Sequence, residues 1–372
     1  MGEHIICGVD AHEASLDCRI GVDREVPTRR RFKNTRRGRD ELFQHLKALS
    51  SEHDGADLAM AYEASPLGFG LYDDCREAGI RCWILAPTKI ARSVEDRKRK
   101  SDDRDATRIF EVLRGHVMAG NALPEIWIPD ERTRDDREIV RRRLDVMNKA
   151  TSVKAQIRML LKRTRVEQPE TVGSGWTVEF RRWLKELPLQ RGARICLRSL
   201  LRQLKSLEQE MEILDQAVQA VAQERRYRYP VVALCRIAGV GLLTAMVYLT
   251  EMGDLSRFSN RKEVGGYVGL VPSSKESGES DDRKGHITRE GPARVRKVLC
   301  QGVWSRVRCD AQEASAYQRI VARNPKHKKI AVVACMRRLA VLMWHVGLEA
   351  QRQGGCFTTE TDGDSEKVAC SR

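Results

Sequence analysis

The spacing of apolar and polar residues changes character twice along the chain and divides it into three parts. His4-Ile5-Ile6-Cys7-Gly8-Val9-Asp10 is a short apolar run closed by an acid, residues 16–22 alternate, and Arg31-Phe32-Lys33-Asn34 predicts a third, short strand. Leu42, Leu46 and Leu49 share one face and predict a helix over 38–49. Residues 57–63 form another strand ending in an acid, Glu63, followed by a helix over 66–78 and a strand at 81–85. That order predicts an α/β layer built on a mixed sheet. A helix from Asp102 to about 118 and a short strand at Glu125–Pro129 close a first domain, 1–129.

From 130 the rhythm is helical. Val146, Ala150, Val153, Ile157 and Leu160 recur at steps of three and four, and Leu197, Leu200, Leu204, Leu207, Met211, Leu214, Val218 and Val221 keep the same rhythm. Such a seam favours a coiled coil, as a hairpin or between subunits, so 130–229 reads as a linker and oligomerisation region. Within it, 166–192 carries Pro169, Gly173, Gly175 and Pro188 and predicts a connector with one small helix at 176–187. Pro230 opens a third region, 230–352, with helices expected at 230–237, 242–252, 259–267, 291–309 and 328–350 and a polar loop at 270–290. The tail, 353–372, lacks apolar periodicity and is expected to be disordered.

Charge narrows the partners. Lys and Arg total 67 against 52 Asp and Glu, a net charge of +15, which favours a polyanion such as DNA or RNA. No apolar run reaches the roughly 18 residues that span a bilayer, and the N-terminus has no leader pattern, so no membrane partner is expected. The eleven cysteines form no CxxC pair, and Cys7, Cys18, Cys82 and Cys235 fall in apolar segments. They read as reduced, buried thiols of a cytoplasmic protein. With no HxxxH spacing either, a metal here would be held by oxygen.

The acids supply candidate ligands. Asp10 and Glu63 end two strands, while Asp102 and Asp105 stand three apart on one helix face. If the strands are neighbours and the helix crosses their ends, four carboxylates converge, an arrangement tolerable only around cations such as Mg²⁺. Two such ions can clamp the attacking and leaving oxygens of a phosphodiester exchange. Asp103 rivals Asp102, and Asp17 and Asp23 rival Asp10; an acid at a strand end is also a common turn residue. Lys100, Arg104 and their basic neighbours would draw in a phosphate backbone.

Two further patterns lie in the third region. Leu234-x-x-Ile237-x-Gly239-Val240-Gly241-x-x-x-Ala245 matches a helix-hairpin-helix, whose backbone N–H groups can take a phosphate; an ordinary glycine-containing helix connection fits equally. Gly269-Leu270-Val271-Pro272 then leads into a loop with Ser273, Ser274, Ser277 and Ser280 among Lys275, Arg283, Lys284, His286 and Arg289. A loop serine beside glycine has an exposed hydroxyl, and the cations could neutralise a phosphorane, although such loops are usually plain connectors.

Gly8-Val9-Asp10, Tyr62-Glu63-Ala64-Ser65, Lys100-Ser101-Asp102-x-x-Asp105-Ala106, Ile237-x-Gly239-Val240-Gly241-x-x-Thr244-Ala245 and Gly269-Leu270-Val271-Pro272-x4-Ser277-Gly278 occur in that order. Together they resemble the DEDD transposases of insertion-sequence family one-ten, over about residues 4 to 350. The resemblance implies a ribonuclease H-like (RuvC-like) domain, a coiled-coil linker and a helical transposase domain. It implies that Asp10, Glu63, Asp102 and Asp105 bind Mg²⁺ and that Ser277 attacks DNA to give a covalent phosphoserine link. It also implies double-stranded DNA substrates, a structured guide (bridge) RNA, and a homo-oligomer, dimer or tetramer, that pairs the acids of one subunit with the serine of another. Two other readings fit the composition. One is a Holliday-junction-type endonuclease using water, and the other is a non-catalytic nucleic-acid-binding coiled-coil scaffold.

Overall fold

A computed structural model describes residues 3–90, 102–173, 175–274, 284–323 and 325–353; the expected tail beyond Gln353 lies outside them. The chain divides after Ile128 into two compact units.

The first unit is a five-stranded mixed sheet. β1 (His4–Ala11), β2 (Ser15–Val22) and β3 (Thr28–Lys33) form an antiparallel meander, and β4 (Asp57–Glu63) and β5 (Arg81–Leu85) add parallel strands beyond β1, giving the order β3-β2-β1-β4-β5. β1 and β4 are apolar between their ends because helices cover both faces, as central parallel strands require. On one face Ile5, Cys7, Val9, Met60 and Tyr62 pack against α1 (Arg36–Glu52) and α2 (Gly70–Glu77). On the other, Ile6, Ala59 and Ala61 meet Ile109, Phe110 and Leu113 of α3 (Asp102–Ala119). The Arg-rich edge strand β3 is exposed, and its charge discourages pairing with another chain. At the opposite edge, residues 124–126 lie along β5: Ala86 N–H donates to Pro124 O at 2.7 Å and Ile126 N–H to Ile84 O at 2.8 Å.

The second unit begins at Asp130, whose carboxylate caps α4 (Glu131–Arg163) by accepting from Thr133 N–H. α4 pairs antiparallel with α6 (Arg191–Gln223), with α5 (Val178–Glu186) packed at the far end. Val140 and Leu144 meet Val218 and Val221 near the root. Ile157 and Leu160 meet Leu197 and Leu204 further out. The 3–4 rhythm of both segments is thus satisfied within one chain. The root shares its core with α7 (Arg225–Cys235), α8 (Leu242–Met252), α9 (Arg261–Tyr267), α10 (Ala293–Cys309), α11 (Ala311–Arg323) and α12 (Lys328–Gln353), which is why the helical pair and the C-terminal helices form one body.

One buried ion pair ties the root to that core. Arg141 Nε and Nη2 donate to the two oxygens of Glu251 at 2.8 and 2.9 Å, and Glu251 is only 5% exposed. Beside it, Arg137 Nη2 donates to Glu251 O at the end of α8, where helix carbonyls lack partners. Replacing Arg141 by alanine leaves a buried carboxylate without its fork and is expected to cost about 3 kcal/mol. A urea titration followed by circular dichroism reads this as a lowered midpoint, and Arg141→Lys should recover part of it; a loss below about 0.5 kcal/mol would mean water replaces the guanidinium.

Four expectations change. Pro230 does not open a region but lies inside α7, buried against the core, which offsets its missing N–H. Helix α11 was not expected, although Asp310, which accepts from Gln312 and Glu313 N–H, caps it. Cys235 is exposed, unlike Cys7 and Cys18, because it lies on the outer face of α7. One helical stretch, Pro325–Gln353, is apolar and long enough by composition to cross a membrane. Its Ala331, Cys335, Leu339, Ala340 and Met343 are nevertheless the middle of the helical core.

Candidate active site

Strand parity decides where the acids point. Gly8 and Ala61 lie against α3, so Asp10 and Glu63, two residues further along each strand, face the same side. β1 and β4 run parallel in register, with Val9 paired to Tyr62, so these carboxylates leave neighbouring strand ends about 5 Å apart in the backbone. Asp10 is half-buried, with His12 Nε2 at 3.1 Å from its Oδ2. Across the antiparallel pair it stands opposite Asp17, which is 2% exposed and flanked by Arg29 at 3.5 Å and Arg31 at 3.4 Å. Asp17, a rival to Asp10 in the sequence, is held by these two arginines, which the alternation of Arg29 and Arg31 along β3 against β2 signals.

The glycine at position 8 sets how closely α3 approaches. A Cβ there would lie 2.3 Å from the backbone nitrogen of Phe110, so helix and strand are in main-chain contact. Thr107 accepts from Arg19 Nε at 3.0 Å on the neighbouring strand. Helix α3 begins at Asp102, whose side chain lies outside the described atoms; Asp105, one turn on, accepts from Arg108 Nη1 at 2.9 Å. Among the described residues no three His, Cys, Asp or Glu side chains gather closely enough to hold a metal ion. The structure therefore brings Asp10 and Glu63 together, while Asp105 is engaged by Arg108. The donors on this face are carboxylate oxygens, which suit a hard divalent cation. On the opposite face burial pushes the Tyr62 phenol well above its usual range, and a hydrogen bond to Cys18 together with burial does the same for the Cys7 thiol.

In the second unit the polar loop has a structured foot. β6 (Pro272–Ser274) and β7 (Lys284–Ile287) form a short antiparallel ladder, and Thr288 N–H donates to Val271 O at 2.9 Å. Arg296 Nη1 reaches the carbonyls of Val268, Glu290 and Gly291 at 3.0, 2.7 and 3.2 Å, pinning the foot to α10. Burial, aided by the nearby Arg289, lowers the pKa of Arg296 from the usual guanidinium value. Ser273 donates to His286 O at 3.0 Å and is a stem residue. Ser274 pairs with Lys284, Arg289 is exposed at the foot, and Arg104 is exposed on α3. Lys100, Lys275, Ser277 and Arg283 lie outside the described residues, as do the side chains of Ser274 and Lys284.

The glycine turn joins α7 to α8. Gly239 has φ +78°, and a Cβ on it would meet Gly302 O of α10 at 2.5 Å. Gly241 is exposed, caps α8 and has open space around it.

A mixed sheet with paired acids at its strand ends, followed by a basic helical unit, is consistent with the nuclease-like domain of a DNA-processing enzyme. Residues 7–166 match the transposase family of the DEDD, IS110 type, and residues 232–319 match the transposase IS116/IS110/IS902 family. The chain is 30% identical over 317 residues to transposase y4qE of Sinorhizobium fredii, covering 78% of this chain and 75% of that protein. It is 23% identical over 309 residues to the transposase for insertion sequence element IS1533 of Leptospira borgpetersenii, covering 82% and 86%. The chain belongs to the IS110/IS116 family of insertion-sequence transposases.

Proposed function

We propose that this transposase cuts and rejoins DNA through a covalent phosphoserine on Ser277, with Asp10, Glu63, Asp102 and Asp105 holding Mg²⁺. The observation that carries the reading is the placement of Asp10 and Glu63. They occupy adjacent parallel strand ends, on the face covered by the helix that opens with Asp102 and Asp105. The strand order supports a ribonuclease H-like domain. Bound Mg²⁺ would neutralise phosphate charge and orient the scissile group. The protein's own groups would hold it: the strand ends set the separation of Asp10 and Glu63, and the close approach that Gly8 allows to α3 would let Asp102 and Asp105 complete the set.

In the proposed step the Ser277 oxygen forms a bond to phosphorus as the bond from phosphorus to one strand's oxygen breaks, and the serine proton ends on that leaving hydroxyl. The number of phosphoester bonds is unchanged, so rejoining needs no nucleotide cofactor. The net charge of +15 supports double-stranded DNA and a structured guide RNA as partners, and the antiparallel α4–α6 pair is the proposed coiled-coil and oligomerisation element.

The deciding test is Ser277→Ala with DNA carrying the element ends, with and without transcribed flanking RNA. Cleavage and the protein–DNA adduct should both vanish, by a factor of about 10³ or more, as expected when a nucleophile is removed. Continued cutting by the alanine variant would instead identify a water-using nuclease.

A further inference from the structure

Next to the β6–β7 ladder, inside the second unit, lies an open groove of about 1710 Å³. One wall is the first turn of α9, with Arg261 and Lys262; a second is the hairpin foot, with Ile287 and Arg289. The third is α12 and the residues leading into it, with Lys326, Lys328, Lys329 and Arg337. The floor is apolar, made of Leu270, Val333, Ala334 and Leu339, while Ile330 and Leu342 are exposed beside it at 51% and 37%.

The charge of this lining is one-sided. Among the described residues of the lining, nine Lys or Arg side chains face a single carboxylate, Glu313. That carboxylate is already shared by Arg306 and Arg338, each at 3.2 Å. Among the described residues no carboxylate pairs with the cations of the three walls. So many like charges around one cleft repel each other, which is tolerable when a polyanion is the intended occupant. The apolar floor adds a requirement that a simple anion does not meet. The occupant carries regularly spaced negative charge along its edges and flat apolar surface between, which describes a single nucleic-acid strand with phosphates on the rim and bases on the floor.

We infer that this groove binds one strand of nucleic acid through its phosphodiester backbone and bases, beside the β6–β7 ladder. The inference rests on the transposase reading and deepens it, by naming where a strand lies in the helical unit. It does not depend on the serine chemistry. DNA and RNA share the chemistry described, and the experiment separates them.

The full-length protein is titrated against fluorescent 15-nucleotide oligo-dT and oligo-U, followed by anisotropy at several salt concentrations. The variant is Lys328→Glu/Lys329→Glu; both lysines are exposed, so an unchanged thermal midpoint is expected. A milder variant, Lys262→Ala/Lys328→Ala/Lys329→Ala, guards against misfolding, and Lys328→Arg/Lys329→Arg should restore binding. Loss of two phosphate contacts lowers the slope of log affinity against log salt by about 1.4, at about 0.7 per phosphate for single strands. Affinity should fall about tenfold or more for at least one oligonucleotide, and the one affected identifies DNA or RNA as the occupant. Binding within twofold of the parent in both charge-removing variants would overturn the inference. So would competition by polyglutamate as effective as that by an oligonucleotide of equal charge, since the groove would then take an acidic peptide. Ser277→Ala should bind as the parent does. Failure of adduct formation in the parent, with groove-dependent binding intact, would remove the serine chemistry and leave the groove standing.

Discussion

Gly8→Ala should unfold or loosen the first unit and abolish DNA cleavage together. The added methyl would lie 2.3 Å from Phe110 N and 2.6 Å from Phe110 Cα, and main-chain atoms in mid-helix cannot rotate aside. Overpacking a core costs about 1–3 kcal/mol, and a clash with helix backbone belongs at the upper end, about 3 kcal/mol. The strand is buried on both faces and cannot shift, so α3 lifts and takes Asp102 and Asp105 with it. Hydrogen exchange should show lost protection in β1 and α3 while α8 and α12 are unchanged. Phe110→Ala added to Gly8→Ala should not restore stability, because the clash includes the backbone. Normal exchange and normal cleavage in Gly8→Ala would show that close helix approach is not what positions the acids.

Gly239→Ala and Gly241→Ala should separate two roles inside one turn. At Gly239 a side chain meets both a left-handed backbone and Gly302 O at 2.5 Å. The left-handed conformation costs a residue with Cβ about 1–2 kcal/mol, and the crowding adds to it, so a loss of about 3 kcal/mol is expected. Gly241 has open surroundings and φ −96°, so alanine there should change stability by less than about 1 kcal/mol. If the start of α8 takes a phosphate, Gly241→Ala instead weakens duplex binding while the melting curve stays put. Equal destabilisation by the two substitutions would refute the division, as would weaker binding only in the Gly239 variant.

Much of the first unit was legible in the sequence because its central strands, β1 and β4, are short apolar runs closed by acids. β4 and β5 were read to the residue, 57–63 and 81–85, since each is bounded by charge or turn residues. Helix α8 was read over its full length, because glycines and Gly253 punctuate a continuous apolar run. The polar segments were less readable. Helix α11 keeps only Ala316 and Tyr317 buried, too few for a visible period, and the 270–290 loop hides a ladder of only three and four residues. The candidate acids were visible as residue types at strand ends and at a helix start, whereas the groove of the second unit was not, because its lining combines segments as far apart in the chain as Arg261 and His345.

Alternation within a strand and recurrence within a helix are local, so the sequence by itself determined the elements with a visible apolar period, the α/β-then-helical order and the surplus of positive charge. Pairing is not local. Only the tertiary structure decided that β1 lies beside β4, which puts Asp10 and Glu63 on one face, and that Arg29 and Arg31 are spent on Asp17. It alone decided that the two heptad segments pair with each other within one chain. The physical reason is the same in each case: which buried surfaces meet depends on chain crossings that no window along the sequence contains.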